Sequence, residues 1–394
     1  MNNPASIANS KAFAAIACGG TGGHLFPGLA VGRALRQRGC NVTLFVSSKQ
    51  IDGQADQAAE GMEVVKLPAI GFSVRKSALF LWRFWQSYRL SINHFNQCPP
   101  RFVLAMGGFT AAPPILAGRR RGALTFLHES NSIPGRANRW LARRVDGAFI
   151  YFPDTVRRLP AARVEITGMP VREEFLHPLS TAAARTALGL DEHKPVLLVM
   201  GGSQGARQIN QLMIGALPPL LQAAPTLQFI HLTGRDDIEK VRAAYQAHDC
   251  PARTYDFLAD MAPVLAAADL AVSRAGASSL AEFAACRVPA LLIPYPHAAD
   301  NHQLHNALAF EQSGAARALP LHGISSESLA REILALLADE AKRGVMRQAL
   351  GAWRGEAAAN IIAERMLQWT ACPVDGQAAT ASDPIQQKPG VLHV

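Results

Sequence analysis

The feature that most constrains this chain is a repeating unit that starts twice: a short apolar run, a glycine-rich turn, then a helical stretch. Phe13–Cys18 leads into Gly19-Gly20-Thr21-Gly22-Gly23-His24 and the helical stretch Pro27–Gly39. Pro195–Met200 leads in the same way into Gly201-Gly202-Ser203-Gln204-Gly205 and a further helix. After the first start, Val42–Val46, Val64–Leu67, Phe102–Met106, Ala123–Leu127 and Gly147–Phe152 read as strands separated by helices; after the second, Leu227–Leu232, Asp269–Ser273 and Ala290–Pro294 do. Short apolar strands with helical crossovers belong to parallel sheets covered on both faces. The expected fold is α/β, two Rossmann-like domains in tandem, joined at Thr167-Gly168-Met169-Pro170-Val171-Arg172, where glycine and proline break the pattern.

The 394 residues suffice for two domains, taken as 11–167 and 168–350, with 351–370 expected as a helix returning to the first. Beyond Gln368 the chain is polar and aperiodic, so 371–394 is expected to be a mobile tail. The six cysteines, Cys18, Cys40, Cys98, Cys250, Cys286 and Cys372, form no Cys-x-x-Cys pair, which points to reduced thiols and no zinc site. The uncharged run Phe102 to Gly118 is interrupted by Gly107, Gly108, Pro113 and Pro114, so no membrane span is expected. The start MNNPASIANS lacks the basic and apolar regions of a signal peptide, and a cytoplasmic location is expected.

Charge is unevenly spread. Residues 1–175 hold 22 Lys and Arg against 10 Asp and Glu, the remainder 17 against 20. A basic first half facing a nearly neutral second points to an anionic surface or substrate for the first. No nucleic-acid recognition motif is present, so nucleic acid is not the expected partner. The segment 74–89 instead mixes Phe80, Trp82, Phe84 and Trp85 with Arg75, Lys76, Arg83 and Arg89. That composition is what a helix at a membrane interface needs, although a helix whose aromatics fill a core would also contain it. Contact with an anionic membrane through Trp82, Arg83, Phe84 and Trp85 is the expectation.

The glycine turns carry the chemistry. Backbone can approach a ligand closely there, and amides at the following helix start favour anionic groups. The first turn fails the dinucleotide fingerprint, because Leu25 stands at its last glycine, and it lacks a Walker lysine. His24 inside it is either a base or a loop-fixing residue. Ser273-Arg274-Ala275-Gly276-Ala277-Ser278-Ser279-Leu280-Ala281-Glu282 presents small residues at a helix start, which suits a diphosphate without a metal. Glu282 either accepts hydrogen bonds from ribose hydroxyls or complements the helix dipole. Asp300, Asn301 and Gln303 are suited to sugar hydroxyls, while His302 and His305 lack companions for a metal. His128-Glu129-Ser130-Asn131 at a strand end belongs at the ligand crevice, or caps the next helix.

Together GGTGGHLFPGLAVGRAL, MGGF, HESNSIPGRANRWLA, GMPVR, GGSQGARQIN, FLADM, SRAGASSLAEFAA and ADNHQLHNA, in this order over roughly residues 13–370, resemble the MurG family of N-acetylglucosaminyltransferases. These enzymes convert lipid I to lipid II in peptidoglycan synthesis. The resemblance implies a GT-B fold, two Rossmann-like domains facing across a cleft, and inverting transfer without a metal or other cofactor. The N-terminal domain would take the lipid acceptor at the cytoplasmic face of the inner membrane, and the C-terminal domain UDP-N-acetylglucosamine. By motif position, Thr21, Gly22 and Gly23 would line the sugar and diphosphate, Asn131 would touch the sugar, and Arg172 and Ser203 would lie around the nucleotide. Leu258 would offer backbone to the uracil, Ala277, Ser278, Ser279, Leu280 and Ala281 would hold the diphosphate, Glu282 the ribose, and Gln303 would distinguish glucosamine from galactosamine. His24 would activate the acceptor hydroxyl.

Two positions depart from the family pattern: Thr110-Ala111-Ala112-Pro113, where a Ser-Gly-Pro type of turn is usual, and Arg287, where a glycine is usual. A related glycosyltransferase with another lipid acceptor, a sugar-nucleotide epimerase of similar fold and a non-catalytic nucleotide-binding protein are the alternative readings.

Overall fold

The computed structural model describes residues 12–19, 22–48, 59, 61–68, 77–202, 205–319, 323–355 and 357–369. Thr21, Ser203, Arg75, Lys76 and the expected mobile tail 371–394 lie outside the described residues.

The first unit contains β1 (Phe13–Ala17), α1 (Gly22–Gln37), β2 (Asn41–Ser47), β3 (Glu63–Leu67), α2 (Ser77–Gln97) and β4 (Phe102–Ala105). It continues with α3 (Ala112–Arg120), β5 (Leu124–Glu129), α4 (Arg136–Ala142), β6 (Gly147–Ile150) and β7 (Val164–Ile166). The second opens with α5 (Glu173–Leu176) and α6 (Thr181–Ala187), followed by β8 (Val196–Met200), α7 (Arg207–Ala223), β9 (Gln228–Leu232), α8 (Ile238–Gln246) and β10 (Ala252–Tyr255). Then come α9 (Ala262–Ala267), β11 (Leu270–Ser273), α10 (Ala277–Cys286), β12 (Ala290–Leu292), α11 (His302–Gln312) and β13 (Ala316–Ala318). Helices α12 (Ser326–Ala338), α13 (Glu340–Gly351) and α14 (Ala358–Gln368) are the last elements among the described residues.

Both sheets are parallel and share one winding order. The first runs β3-β2-β1-β4-β5-β6-β7 and the second β10-β9-β8-β11-β12-β13. Winding reverses beside β1 in one and beside β8 in the other, and ligands of such sheets bind outside the carboxyl ends of the strands at that point. Both glycine turns sit there.

The strands are apolar on both faces because each face has its own core. On β1, Ala14 and Ile16 enter one apolar cluster while Ala15 and Ala17 enter another. On β8, Leu197 and Val199 point into one cluster, and Val196, Leu198 and Met200 into the opposite one. Alternation of successive side chains across a sheet requires this division.

After the second sheet the chain returns to the first unit. Ile362, Ala363, Met366 and Trp369 join the cluster built around α1, and Arg38, just past the end of α1, donates to Asn360 and Glu364. Trp369 meets Phe126 edge-on, with ring centroids 5.1 Å apart. Each fully buried side chain of this size contributes about 2 kcal/mol, so α14 is held firmly to a unit whose last strand ends at Ile166.

One boundary differs from expectation. Helix α1 starts at Gly22 rather than Pro27, so Gly22, Gly23 and His24 form its first turn. Pro27 forfeits only the bond to the carbonyl of Gly23, near a terminus where partners are already missing.

Candidate functional site

His24 is wedged against two glycines from different turns. A Cβ on Gly19 would lie 2.8 Å from His24 Cδ2, and one on Gly107 would lie 2.7 Å from Cε1. Gly107 also has φ +117, so glycine is required there twice over. The ring is half-buried and its Nδ1 is shut off without a hydrogen-bond partner among the described residues. Burial pulls the imidazole pKa below 6.5, while the backbone of Met106 acts the other way. The ring is therefore neutral, the form a base requires. His128, on β5, is close enough for the two rings to oppose each other's charging. Its own pKa falls to about 4, chiefly through burial, and its Nε2 lies 3.0 Å from the carbonyl oxygen of Gly168.

Glu129 organises the turn after β5. Its carboxylate accepts from the amides of Asn131 and Gly135 at 2.9 Å and from Asn138 Nδ2 at 2.9 Å. Burial raises its pKa and these donors oppose the rise. The cluster thus fixes Asn131 rather than merely capping α4, whose N-cap, Gly135, makes no side-chain cap bond.

Asn131 is met by a residue that sequence reasoning passed over. Asn306, fully buried on α11, donates to Asn131 Oδ1 and to the carbonyl of Ala275, both at 3.1 Å, and accepts from the amide of Ser132 at 2.9 Å. A strand-end turn of the first domain is thereby bonded to the strand-end turn of the second. An asparagine in a polar stretch gives no sign of such a partner, although its place within ADNHQLHNA was a usable signal.

On the second domain α10 begins after Gly276, whose φ −69 and ψ 137 are extended and which supplies no side-chain cap. A helix leaves its first amides unpaired, here those of Ala277, Ser278 and Ser279. This narrows the expected diphosphate cradle. The amide of Leu280 already donates to the carbonyl of Gly276, Ala281 sits in the second turn, and both side chains are buried in the core. Neither has an amide to offer a ligand, because intrahelical bonding begins with them.

Glu282 follows one turn later. Burial raises its pKa to about 7; Arg172 opposes the rise and Glu174 adds to it. Arg172 stacks over Phe26 of α1 at 4.6 Å and over Phe175 at 4.7 Å. Its Nη1 donates to the carbonyl of Ala259, next to the expected uracil residue Leu258, at 3.1 Å. Arg172, Leu258 and Glu282 are therefore brought together, with Phe26 as a member not foreseen. The second glycine turn is braced from behind: a Cβ on Gly205, φ +74, would lie 2.4 Å from the carbonyl oxygen of Thr233. That carbonyl accepts from Asn210, which also pairs with the buried His231.

Gln303 accepts from the amide of Tyr295 at 2.9 Å, so its carbonyl is committed and its NH2 group is what remains for a ligand. Asp300, read as a sugar contact, is paired instead with Arg139 and Arg136 of the first domain. Among the described residues no group of three or more His, Cys, Asp or Glu is placed to hold a metal.

Two domains of glycosyltransferase family 28 match the chain, the N-terminal over residues 14–150 and the C-terminal over 196–364. A UDP-N-acetylglucosamine–N-acetylmuramyl-(pentapeptide) pyrophosphoryl-undecaprenol N-acetylglucosamine transferase of Pelobacter propionicus is 38% identical over 82% of this chain and 90% of its own. The transferase of the same name from Geobacter metallireducens is 36% identical over 89% and 97%. The chain belongs to this family. The crystal structure of Acinetobacter baumannii MurG has the same fold, with a TM-score of 0.69 at 24% identity over 91% of this chain and all of that one. As a MurG-family member the chain is a glycosyltransferase, an N-acetylglucosaminyltransferase.

The two departures from the MurG-family pattern are accommodated differently. Thr110 and Ala111 lie in a short 3-10 turn, Phe109–Ala111, running into α3, whose start accepts Pro113 and Pro114. Arg287 takes the left-handed conformation itself, φ 55 and ψ 44, at the end of α10.

The aromatic segment becomes α2, and its faces divide. Phe84 is half-buried and packs on the core with Tyr88 and Ile92, beside the buried Phe95. This corrects its expected membrane contact, because its helical spacing aligns it with those core residues. Trp82 and Trp85 are exposed and stacked 5.6 Å apart, with Leu79, Leu81 and Leu90 also exposed. Arg89 lies over Trp85 at 4.8 Å, and Arg83 is half-buried beside Gln86. Among the described residues no helix is long and apolar enough to cross a membrane.

Proposed function

We propose that this chain transfers N-acetylglucosamine from UDP-N-acetylglucosamine to undecaprenyl-pyrophosphoryl-N-acetylmuramyl pentapeptide, lipid I, giving lipid II with inversion. The observation that carries the reading is the Asn306 bridge. It joins the Asn131 turn of the first domain to the Ala275 turn ahead of the open α10 amides. In this reading an acceptor-side base and a leaving-group site share one cleft.

The step is a single displacement. The muramyl 4-hydroxyl attacks the anomeric carbon and loses its proton to neutral His24 as the bond from that carbon to the UDP oxygen breaks. Charge on the departing UDP is met by the amides of Ala277, Ser278 and Ser279 and the dipole of α10. Glu282 accepts from the ribose hydroxyls, Arg172 and the backbone at Leu258 hold the nucleotide, and Gln303 donates to the sugar. Thr21, Gly22, Gly23 and Ser203 complete the donor contacts in this reading.

Docking follows from the exposed face of α2. Trp82 and Trp85 enter the interface while Arg83 and Arg89 meet lipid phosphates at the cytoplasmic face of an anionic membrane. Arg119, Arg120, Arg121 and Arg143, exposed on the neighbouring helix ends and without a carboxylate partner among the described residues, add to the attraction.

The test is transfer of radiolabelled N-acetylglucosamine to a lipid I analogue with EDTA present. Wild type should turn over, His24→Ala should lose kcat, and Glu282→Ala should lose donor affinity. Failure of folded wild type to transfer, with UDP-sugar binding intact, would refute the acceptor assignment.

A further inference from the structure

Asp300 and Asn301 are consecutive non-glycine residues in the left-handed region, both at φ 52. Such residues are disfavoured, though Asp and Asn tolerate the region best, and they persist where surroundings over-determine them. Asn301 is the N-cap of α11 yet makes no side-chain cap bond, so the helix does not itself impose this geometry. Within its own domain the turn is held by the Asn301 amide donating to the carbonyl of Ala298 and by His302 Nδ1, 2.8 Å from the carbonyl oxygen of Ala299; the contacts to the Asp300 carboxylate come from the other domain. Asp300 Oδ2 accepts from Arg139 Nη2 at 2.5 Å, and Oδ1 lies 3.7 Å from Arg136 Nη2.

Both arginines are on α4, and the same helix holds the turn that carries Asn131. Asn138, beside Arg139, donates to the carboxylate of Glu129 and to the carbonyl of His128. On the other side of the ion pair, Gln303 stands in the first turn of α11, its carbonyl tied to Tyr295. One short helix of the first domain therefore grips the turn that carries Asn131 through Asn138 and the turn ahead of Gln303 through Arg139.

We propose that Arg139 is a positioning residue for donor recognition: by pairing with Asp300 it holds the left-handed Asp300–Asn301 turn, and so Gln303, in register for the donor sugar. Selectivity for the sugar is then set partly from the acceptor-binding domain. The proposal rests on the assignment of Gln303 to the donor sugar.

The experiment measures kcat and KM for UDP-N-acetylglucosamine and UDP-N-acetylgalactosamine with a lipid I analogue, using the full chain. Variants are Arg139→Gln, Asp300→Asn, the two combined, Arg139→Lys and Gln303→Ala, each checked by thermal melting. A half-exposed ion pair supports a modest effect: each single change should raise KM for UDP-N-acetylglucosamine and shrink the preference over the galacto sugar about three- to fivefold, with kcat unmoved. The combined variant should be no worse than either single one, as expected for residues that share one interaction, and Arg139→Lys should recover part of the loss. A merely structural role would lower the melting temperature without moving the sugar preference. If Gln303→Ala abolishes the preference while Arg139→Gln and Asp300→Asn leave it intact, the positioning role is overturned. If Gln303→Ala itself leaves the preference intact, the donor-sugar reading fails, and this inference with it.

Discussion

Replacing Glu282 with glutamine should stabilise the free protein at alkaline pH while weakening its hold on UDP. The carboxyl is raised from its ordinary 4.5 to about 7 by burial, with Arg172 offsetting part of the rise and Glu174 adding to it. A folded-state pKa above the unfolded value means the folded protein holds the proton more tightly. The resulting stabilisation is complete below about 4.5 and is lost as pH rises through about 7. Each unit is worth 1.36 kcal/mol, and part of the group is solvated, so ionised Glu282 costs the fold about 1–3 kcal/mol at pH 8.5. Glutamine has no charge to bury. Glu282→Gln should therefore melt roughly 2–10 °C above wild type at pH 8.5 and level with it at pH 5. A neutral amide accepts weaker hydrogen bonds than a carboxylate, so UDP affinity should fall by about five- to tenfold at pH 8.5. Thermal melts at both pH values and calorimetric titration with UDP measure the two effects. Identical melting of variant and wild type at pH 8.5, or unchanged UDP affinity, would refute the reasoning.

Arg287→Gly relieves a left-handed residue at the end of α10; urea denaturation should show a net gain of about 0.5–1 kcal/mol, since the freer unfolded glycine offsets part of the relief. Asn306→Ala removes two bonds between the domains and one within the second, and leaves the Ser132 amide and Ala275 carbonyl unpaired. Thermal denaturation should register a loss of about 2–4 kcal/mol, and transfer should fall even below the melting temperature. Changing Trp82 and Trp85 to Ser should lower sedimentation with anionic vesicles and leave melting unchanged, because both rings are exposed; equal vesicle binding by the folded variant would sink the docking reading.

Much of the fold was legible because long apolar strands between helices admit few arrangements. Strands β1, β2, β4, β5, β8 and β9 fall within two residues of their expected limits. The strands that escaped are β7, β10 and β13, of three or four residues each. Ala316-Arg317-Ala318 has no pattern of its own and becomes a strand only by pairing with β12. At the site, the glycine turns, His24 and the small residues before α10 were visible as types in order. What misled was composition taken without geometry. Phe84 counted with the other aromatics until the helix turned it inward, and Asp300 counted with the sugar-reading polar residues until an arginine from another helix claimed it.

The local chemistry was thus determined by the chain alone: which turns must be glycine, which helix start lacks a side-chain cap, and where apolar runs demand burial on two faces. Each follows from neighbours within a few residues. Tertiary structure alone decided which polar atoms remain for a ligand. Asn306 lies 175 residues from Asn131, Asp300 lies 161 from Arg139, and α14 closes on α1 from the far end of the chain. Hydrogen bonds and charge pairs act over a few ångströms of space, and only the packing of two sheets brings such distant residues within that reach.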